Sequence, residues 1–285
     1  MMSFTTLGDL HLGRAVQGFD TTESTRRIMW AFFKWTRRMK ATHAVQLGDA
    51  TDSSRPKTRH LKMLTQWANT FSRDGVTLYI LTGNHDVSSQ AGTHSALDPL
   101  KAAGIKVIDR PCVKPLGAGS PIPARRTHGL FLPFPPPRTY EDGADWLGQV
   151  ERASERAREL MERGERVYLL AHLNVTGARY GEQELVYRAK AFSIPRALLE
   201  MPFTDIICGH VHNPQEVGRV WVQGAAQRLR MDERRHDRMM ACFSQGGRRE
   251  ANLDALEMVQ IKLDATGENY GGAAVTTEMV IEALP

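Results

Sequence analysis

The chain of 285 residues has only three cysteines, Cys112, Cys208 and Cys242, far apart and in no C-x-x-C spacing. Such a pattern encodes neither a zinc ribbon nor a disulfide framework, and a reducing, cytoplasmic setting fits it best. No apolar run reaches the length that spans a bilayer, and no charged leader with an apolar stretch and cleavage site opens the chain. The expectation is a soluble protein with no membrane partner. Internal repeats, low-complexity tracts and a clear linker are missing as well. With 41% hydrophobic and 24% charged residues, disorder is excluded and one large domain or two small ones can bury a core. Lysine and arginine number 37 against 32 acidic residues, a formal charge of +5 that inclines the chain mildly toward polyanions.

What is present is an alternation of short β-rich runs with longer helical patterns, the signature of an α/β fold. Residues 4–7, 43–47 and 77–81 read as strands, and each ends in a polar, glycine-marked loop. A helix from about Thr22 carries Ile28, Phe32, Trp35 and Met39 as its apolar stripe and Arg26, Arg27, Lys34, Arg37 and Arg38 on the other face. A second, from about Lys57, lines up Leu61, Leu64, Ala68 and Phe71, and a third covers residues 95–103. Residues 105–137 read as short strands and proline-rich turns, and 142–164 as a long, charged, mostly exposed helix. Residues 167–171 and 205–208 are further buried strands, and 219–223, 239–243 and 257–263 look like successive strands of a β meander.

The strand ends carry the chemistry. In order they read Asp9-x-His11, Asp49, Asn84-His85, His172 and His210-x-His212, a set of carboxylate, amide and imidazole groups suited to first-row transition metals. Residues i and i+2 of an extended strand end point the same way, so Asp9 with His11, or His210 with His212, presents two ligands to one side. In open α/β sheets sites form outside the carboxyl ends of the strands, so these loops should converge. A pair of metals suits in-line displacement at phosphorus by holding both attacking and leaving oxygens. Asp49 is the candidate to bridge such a pair, His85 the candidate general acid, and Asp52 the candidate to orient it. His43, His60, His94, His128 and His236 fall outside the motifs and read as ordinary surface or core residues.

The series GDLHLG, GDATD, GNHD, AH and GHVH resembles the calcineurin-like metallophosphoesterases, and GDATDSSRP, LYILTGNHDVSS and GHVHNPQ are most similar to the SbcD-type nuclease subunits of double-strand-break repair. That resemblance implies a four-layer sandwich, two mixed β-sheets packed face to face and flanked by helices. It places a nuclease domain over residues 1–245, with 246–285 as a β extension or reduced cap of the same domain. It implies two divalent metal ions, manganese first and magnesium, iron or zinc as other candidates. Asp9, His11, Asp49 and His212 would hold one, and Asp49, Asn84, His172 and His210 the other, with His85 as the catalytic histidine. It further implies exonuclease and endonuclease activity on DNA, a homodimer, and an SbcC-type ATPase partner.

Two departures qualify it. Protein phosphatases of the superfamily carry arginine directly after the GDxxD aspartate, where this chain has Ser53. Only about forty residues follow Phe243, where SbcD-type subunits continue into a cap and an ATPase-binding tail. Arg14, Arg55, Lys57, Arg59 and Arg179 follow the metal motifs and are candidate contacts to a DNA backbone, whereas Arg125-Arg126, Arg234-Arg235 and Arg248-Arg249 read as exposed loop charges. The alternatives are an esterase of small phosphodiesters such as cyclic nucleotides, and a DNA-end-binding scaffold with residual nuclease.

Overall fold

The computed structural model describes residues 3–88, 95–117, 121–123, 126–136, 145–180, 183–184, 192–230, 233, 236–253 and 255. In chain order the first half holds β1 (Phe4–Leu7), the hairpin β2 (Ala15–Val16) and β3 (Phe19–Asp20), α1 (Thr22–Arg38), β4 (His43–Gln46), α2 (Thr58–Arg73), β5 (Thr77–Leu81), α3 (Asp98–Ala102) and β6 (Lys106–Ile108). There follow β7 (Cys112–Pro115), β8 (Thr127–Leu132), α4 (Trp146–Glu162), β9 (Arg166–Ala171), the hairpin β10 (Arg179–Tyr180) and β11 (Gln183–Glu184), α5 (Arg196–Leu199), β12 (Ile206–Cys208), β13 (Gln215–Val217) and β14 (Val220–Val222). Last come β15 (Met239–Ser244) and β16 (Gly247–Asn252).

Two six-stranded sheets result, ordered β16-β15-β1-β4-β5-β6 and β13-β14-β12-β9-β8-β7. Strands β1, β4, β5 and β6 run parallel, β15 pairs antiparallel with β1, and β16 pairs antiparallel with β15 at the sheet edge. In the second sheet β14, β12, β9 and β8 are parallel, with β13 and β7 antiparallel at the edges. The parallel strands are apolar on both faces because both are covered. Along β5, Tyr79 and Leu81 point between the sheets, while Leu78 and Ile80 meet the helices. Along β9, Tyr168 and Leu170 face inward, and Val167, Leu169 and Ala171 face out. Between the sheets the Phe4 ring stacks on Phe243 with centroids 5.0 Å apart and meets Tyr168 edge-on at 4.9 Å. Helices α1 and α2 cover the first sheet through Ile28, Phe32, Trp67 and Phe71, and α4 covers the second through Val150, Ala153, Ala157 and Leu160. The molecule is the four-layer α/β sandwich expected from the resemblance.

Local expectations needed correction in three places. On α1 the buried face is Thr25, Ile28, Met29, Phe32, Phe33 and Thr36, with Trp35 only partly covered and Met39 serving as the C-cap. Thr36 is buried because its hydroxyl meets that of Thr5 at 2.8 Å, a pairing that a count of apolar residues overlooks. Helix α4 begins after Asp145, whose carboxylate caps it by accepting the Gly148 N–H at 2.7 Å, and it is amphipathic rather than mostly exposed; residues 142–144 lie outside the described residues. The meander does not form: β14 lies parallel to β12 in the second sheet, whereas β15 lies antiparallel to β1 in the first. Gln223 marks the crossing, its side-chain amide donating to the carbonyls of Thr6 at 3.0 Å and Met239 at 3.2 Å. The expected strand 257–263 lies outside the described residues, and the strand that pairs with β15 is β16. No helix among the described residues is long and apolar enough to cross a membrane.

Candidate metal centre

Five strand ends, those of β1, β4, β5, β9 and β12, deliver their loops to one end of the sandwich. The first two loops are laced together by the N–H groups of Leu10 and His11, which both donate to the Asp49 carbonyl, at 3.0 and 2.9 Å. The turns are tight. His11, Asp49 and His210 all hold positive φ, at 44°, 50° and 74°, a conformation that costs an L residue about 1–3 kcal/mol. Two glycines make room. A Cβ on Gly48, itself at φ 105°, would run into the His172 ring, and one on Gly83 would run into Asp49.

Around the buried Asp49 the side chains form two groups. Its Oδ2 lies 3.5 Å from His11 Nε2, and its Oδ1 lies 3.4 Å from His172 Nε2. On the first side His11 Nε2 is 3.2 Å from His212 Nε2, which is 4.0 Å from Asp9 Oδ2. On the second, Asn84 Oδ1 lies 3.2 Å from His172 Nε2 and 2.8 Å from His210 Nδ1. The outer hydrogen bonds decide which ring nitrogens are bare. His172 Nδ1 must donate to the Leu47 carbonyl at 2.7 Å, His11 Nδ1 to the Asp52 carboxylate at 3.2 Å, and His212 Nδ1 to the Glu233 carboxylate at 2.9 Å. Their Nε2 lone pairs are therefore aimed at one another and at carboxylate oxygens, a repulsive arrangement unless a cation stands among them. Nitrogen and oxygen donors so oriented fit divalent metals on both sides of Asp49.

Charge tells the same story. Burial pushes the Asp9 carboxyl up. Burial acts likewise on Asp49, but the charge and hydrogen bond of His172, with His11 and His85, outweigh it and hold that carboxyl below its ordinary range. Burial lowers His172, yet Asp49 and Asp9 raise it to about 9, whereas His210, buried beside His172, is pushed down to about 3. The buried carboxylates of Asp9 and Asp49 thus favour positive charge beside His172, which a divalent metal held by these residues would supply.

His85 stands at the mouth, its side chain 37% exposed and its ring edge-on to His11 with centroids 4.6 Å apart. Its Nδ1 donates to the main-chain carbonyl of Asp52 at 3.0 Å, and its own N–H donates to Asp49 Oδ1 at 2.8 Å. Asp52 thus orients His85 through its backbone, while its carboxylate, 4.0 Å from His85 Nδ1, braces His11 and lies 3.5 Å from Arg14 Nη1. Arg55 and Lys57 are exposed on the loop beyond. Arg59 is held by Asp20 at 2.8 Å and donates to His60 at 3.1 Å. Arg179 is exposed, and its main chain is tied in both directions, at 2.8 Å each, to Gln215 just after the His210-x-His212 loop. Arg125, Arg234 and Arg235 lie outside the described residues.

Two further residues serve the site. Asp86 accepts from Thr51 N and Oγ1, both at 2.8 Å, from Gly83 N at 2.9 Å and from Ala50 N at 3.2 Å, locking the Asp49 loop to the Asn84 loop. Burial, with the Asp49 charge, raises its carboxyl to about 6. Its position directly after Asn84-His85 was the available signal, and a turn residue reads identically. Glu233 had no such signal, standing in an arginine-rich run of surface appearance.

Residues 2–214 match the profile of the calcineurin-like phosphoesterases. The chain belongs to that family. Calcineurin-like phosphoesterases are metal-dependent hydrolases, typically with two divalent metals, and Asp9, His11, His212 and Asp49, His172, His210, together with His11, Asp52, His85, are groups whose ligand atoms lie close enough to hold a metal ion. The same fold occurs in a Staphylococcus aureus protein assigned as a 5′-nucleotidase and solved in complex with alpha-ketoglutarate, at 12% identity and a TM-score of 0.56, covering 94% of this chain and 57% of that one. It occurs also in a dimetal phosphatase from Danio rerio, at 14% identity and a TM-score of 0.51, covering 88% of this chain and 98% of that one. This chain spans little more than half of the staphylococcal protein. No match was found among curated protein sequences.

Proposed function

We propose that this phosphoesterase is a dinuclear phosphodiesterase acting on DNA, of the SbcD type. When bound, two divalent cations supply Lewis-acid stabilisation of the phosphoryl oxygens. Asp9, His11, Asp49 and His212 would hold one, and Asp49, Asn84, His172 and His210 the other. His85, fixed by its Nδ1–H on the Asp52 carbonyl, would act as the imidazolium, giving the proton of Nε2 to the leaving 3′ oxygen and remaining as the neutral ring. Asp52 keeps His11 in the tautomer whose Nε2 faces the site.

The observation that carries the substrate reading is the loop after Asp49. Ser53 stands where phosphatases grip a terminal phosphoryl group, and exposed Arg55 and Lys57 follow it. With Arg14 and Arg179 they give a polyanion several contacts outside the metal cluster. A small-phosphoester substrate is the second reading, favoured by the engagement of Arg59 with Asp20 and of Arg14 with Asp52. A homodimer and an SbcC-type ATPase are the partners the first reading carries, with manganese as the expected metal.

The deciding experiment follows cleavage of end-labelled duplex DNA with manganese as salt rises from about 50 to about 200 mM, beside bis-p-nitrophenyl phosphate. DNA trimming that falls steeply with salt while the small ester is hydrolysed throughout supports the proposal. Ester hydrolysis with DNA untouched refutes it and favours the second reading.

A further inference from the structure

We infer that Glu233 is a positioning residue of the metal centre, fixing the tautomer and plane of the His212 ring, and that buried Arg238 in turn fixes Glu233. The inference rests on the two-metal reading of the site, and it concerns residues beyond position 214, where the family match ends. Glu233 is 2% exposed and Arg238 1%. Glu233 Oε1 accepts from His212 Nδ1 at 2.9 Å, which turns His212 Nε2 toward Asp9 and His11. Glu233 Oε2 is taken by the Leu229 N–H at 2.9 Å and by Arg238 Nη2 at 2.8 Å. Arg238 Nη1 donates to the main-chain carbonyl of His212 itself. One guanidinium therefore grips both the backbone that bears the ring and the carboxylate that orients it.

A guanidinium is costly to bury unless paired, and Arg238 is paired with the Glu233 carboxylate and the His212 carbonyl, with a longer contact of 3.5 Å to the Ala225 carbonyl. Just after β14, Ala226 N donates to the Asp9 carbonyl at 2.8 Å and Ala225 N to the His212 carbonyl at 3.1 Å, tying this stretch of main chain to the same two ligand loops. An imidazole backed by a carboxylate is a stronger donor than one backed by a carbonyl, as His172 is by Leu47. His212 owes that quality to Glu233.

The test titrates manganese alone into the metal-free chain by calorimetry, with thermal unfolding in chelator as a separate reading of the fold. In Glu233→Gln the single side-chain oxygen can serve His212 or the Leu229 and Arg238 donors, but not both sets. One of the two affinities should weaken about 10- to 100-fold while the other stays within about threefold. The double variant H212Q/E233Q should lose no more than H212Q alone. Wild-type affinities in E233Q, whatever happens to its unfolding temperature, overturn the inference. Should E233Q not fold, Glu233→Asp keeps the charge and the Arg238 pair but draws the oxygens back from His212, and the same selective loss is expected; unchanged affinities there overturn it equally. A wild-type chain that takes up no manganese contradicts the two-metal reading itself, a failure distinct from the other two.

Discussion

Replacing His85 with alanine should separate proton transfer from metal binding. The ring touches the site only from its mouth: Nδ1 rests on the Asp52 carbonyl, and the bond to Asp49 comes from the His85 main chain, which alanine retains. Both ligand groups should therefore keep their metals, and a side chain 37% exposed should cost about 1 kcal/mol of stability or less when removed. A positioned general acid is worth about 10²- to 10⁴-fold, or about 3–5 kcal/mol of barrier. That loss should appear in full on DNA, whose leaving alkoxide needs a proton, and shrink on bis-p-nitrophenyl phosphate, whose leaving phenolate is stable without one. The assay is kcat/KM on both substrates at saturating manganese, with metal content measured on the same preparations. Equal losses on the two substrates, or loss of metal from the variant, would refute the role given to Nε2.

Asp49→Asn should weaken both metal affinities by more than about 100-fold, because its two oxygens face different ligand groups; metal analysis after dialysis that finds one site full contradicts this. Gly48→Ala places a Cβ against His172 in a backbone at φ 105°, so the unfolding free energy should fall by about 1–3 kcal/mol, and an unchanged denaturant midpoint would count against it. Burial, aided by Lys106, lowers His43 from 6.5 to about 4. Between those values the unfolded chain binds the proton and the folded one does not, so this contribution is whole above about pH 6.5 and is lost as pH falls toward 4. It is worth up to about 3 kcal/mol. His43→Gln should flatten the acid limb of stability against pH, and an identical limb in both proteins would show that His43 is not its source.

The strands and the ligand loops were legible because each is a local pattern. Short β-branched or apolar runs at residues 4–7, 43–46 and 77–81, each followed by glycine and a polar ligand type, announce both the sheet and its functional edge. The pairing of strands distant in sequence is not local, so β14 and β15 looked like neighbours although they belong to different sheets. Strand β16 went unseen because Gly247–Asn252 is charged and exposed, as suits an edge strand that must not aggregate. The same limit governs the site. Its ligands sit in motifs, whereas their supports do not: the Asp52 carboxylate reaches His11 rather than His85, and Glu233 reaches His212 from the connection between β14 and β15. Those roles appear only once the loops are in three dimensions.

The central claim is that Asp49 stands between two cation sites of defined membership. Crystals soaked in manganese and measured at its absorption edge test it most directly. The account predicts two anomalous peaks, one among Asp9, His11, Asp49 and His212 and the other among Asp49, Asn84, His172 and His210. A single peak, or peaks that leave Asp49 on one side, would contradict it.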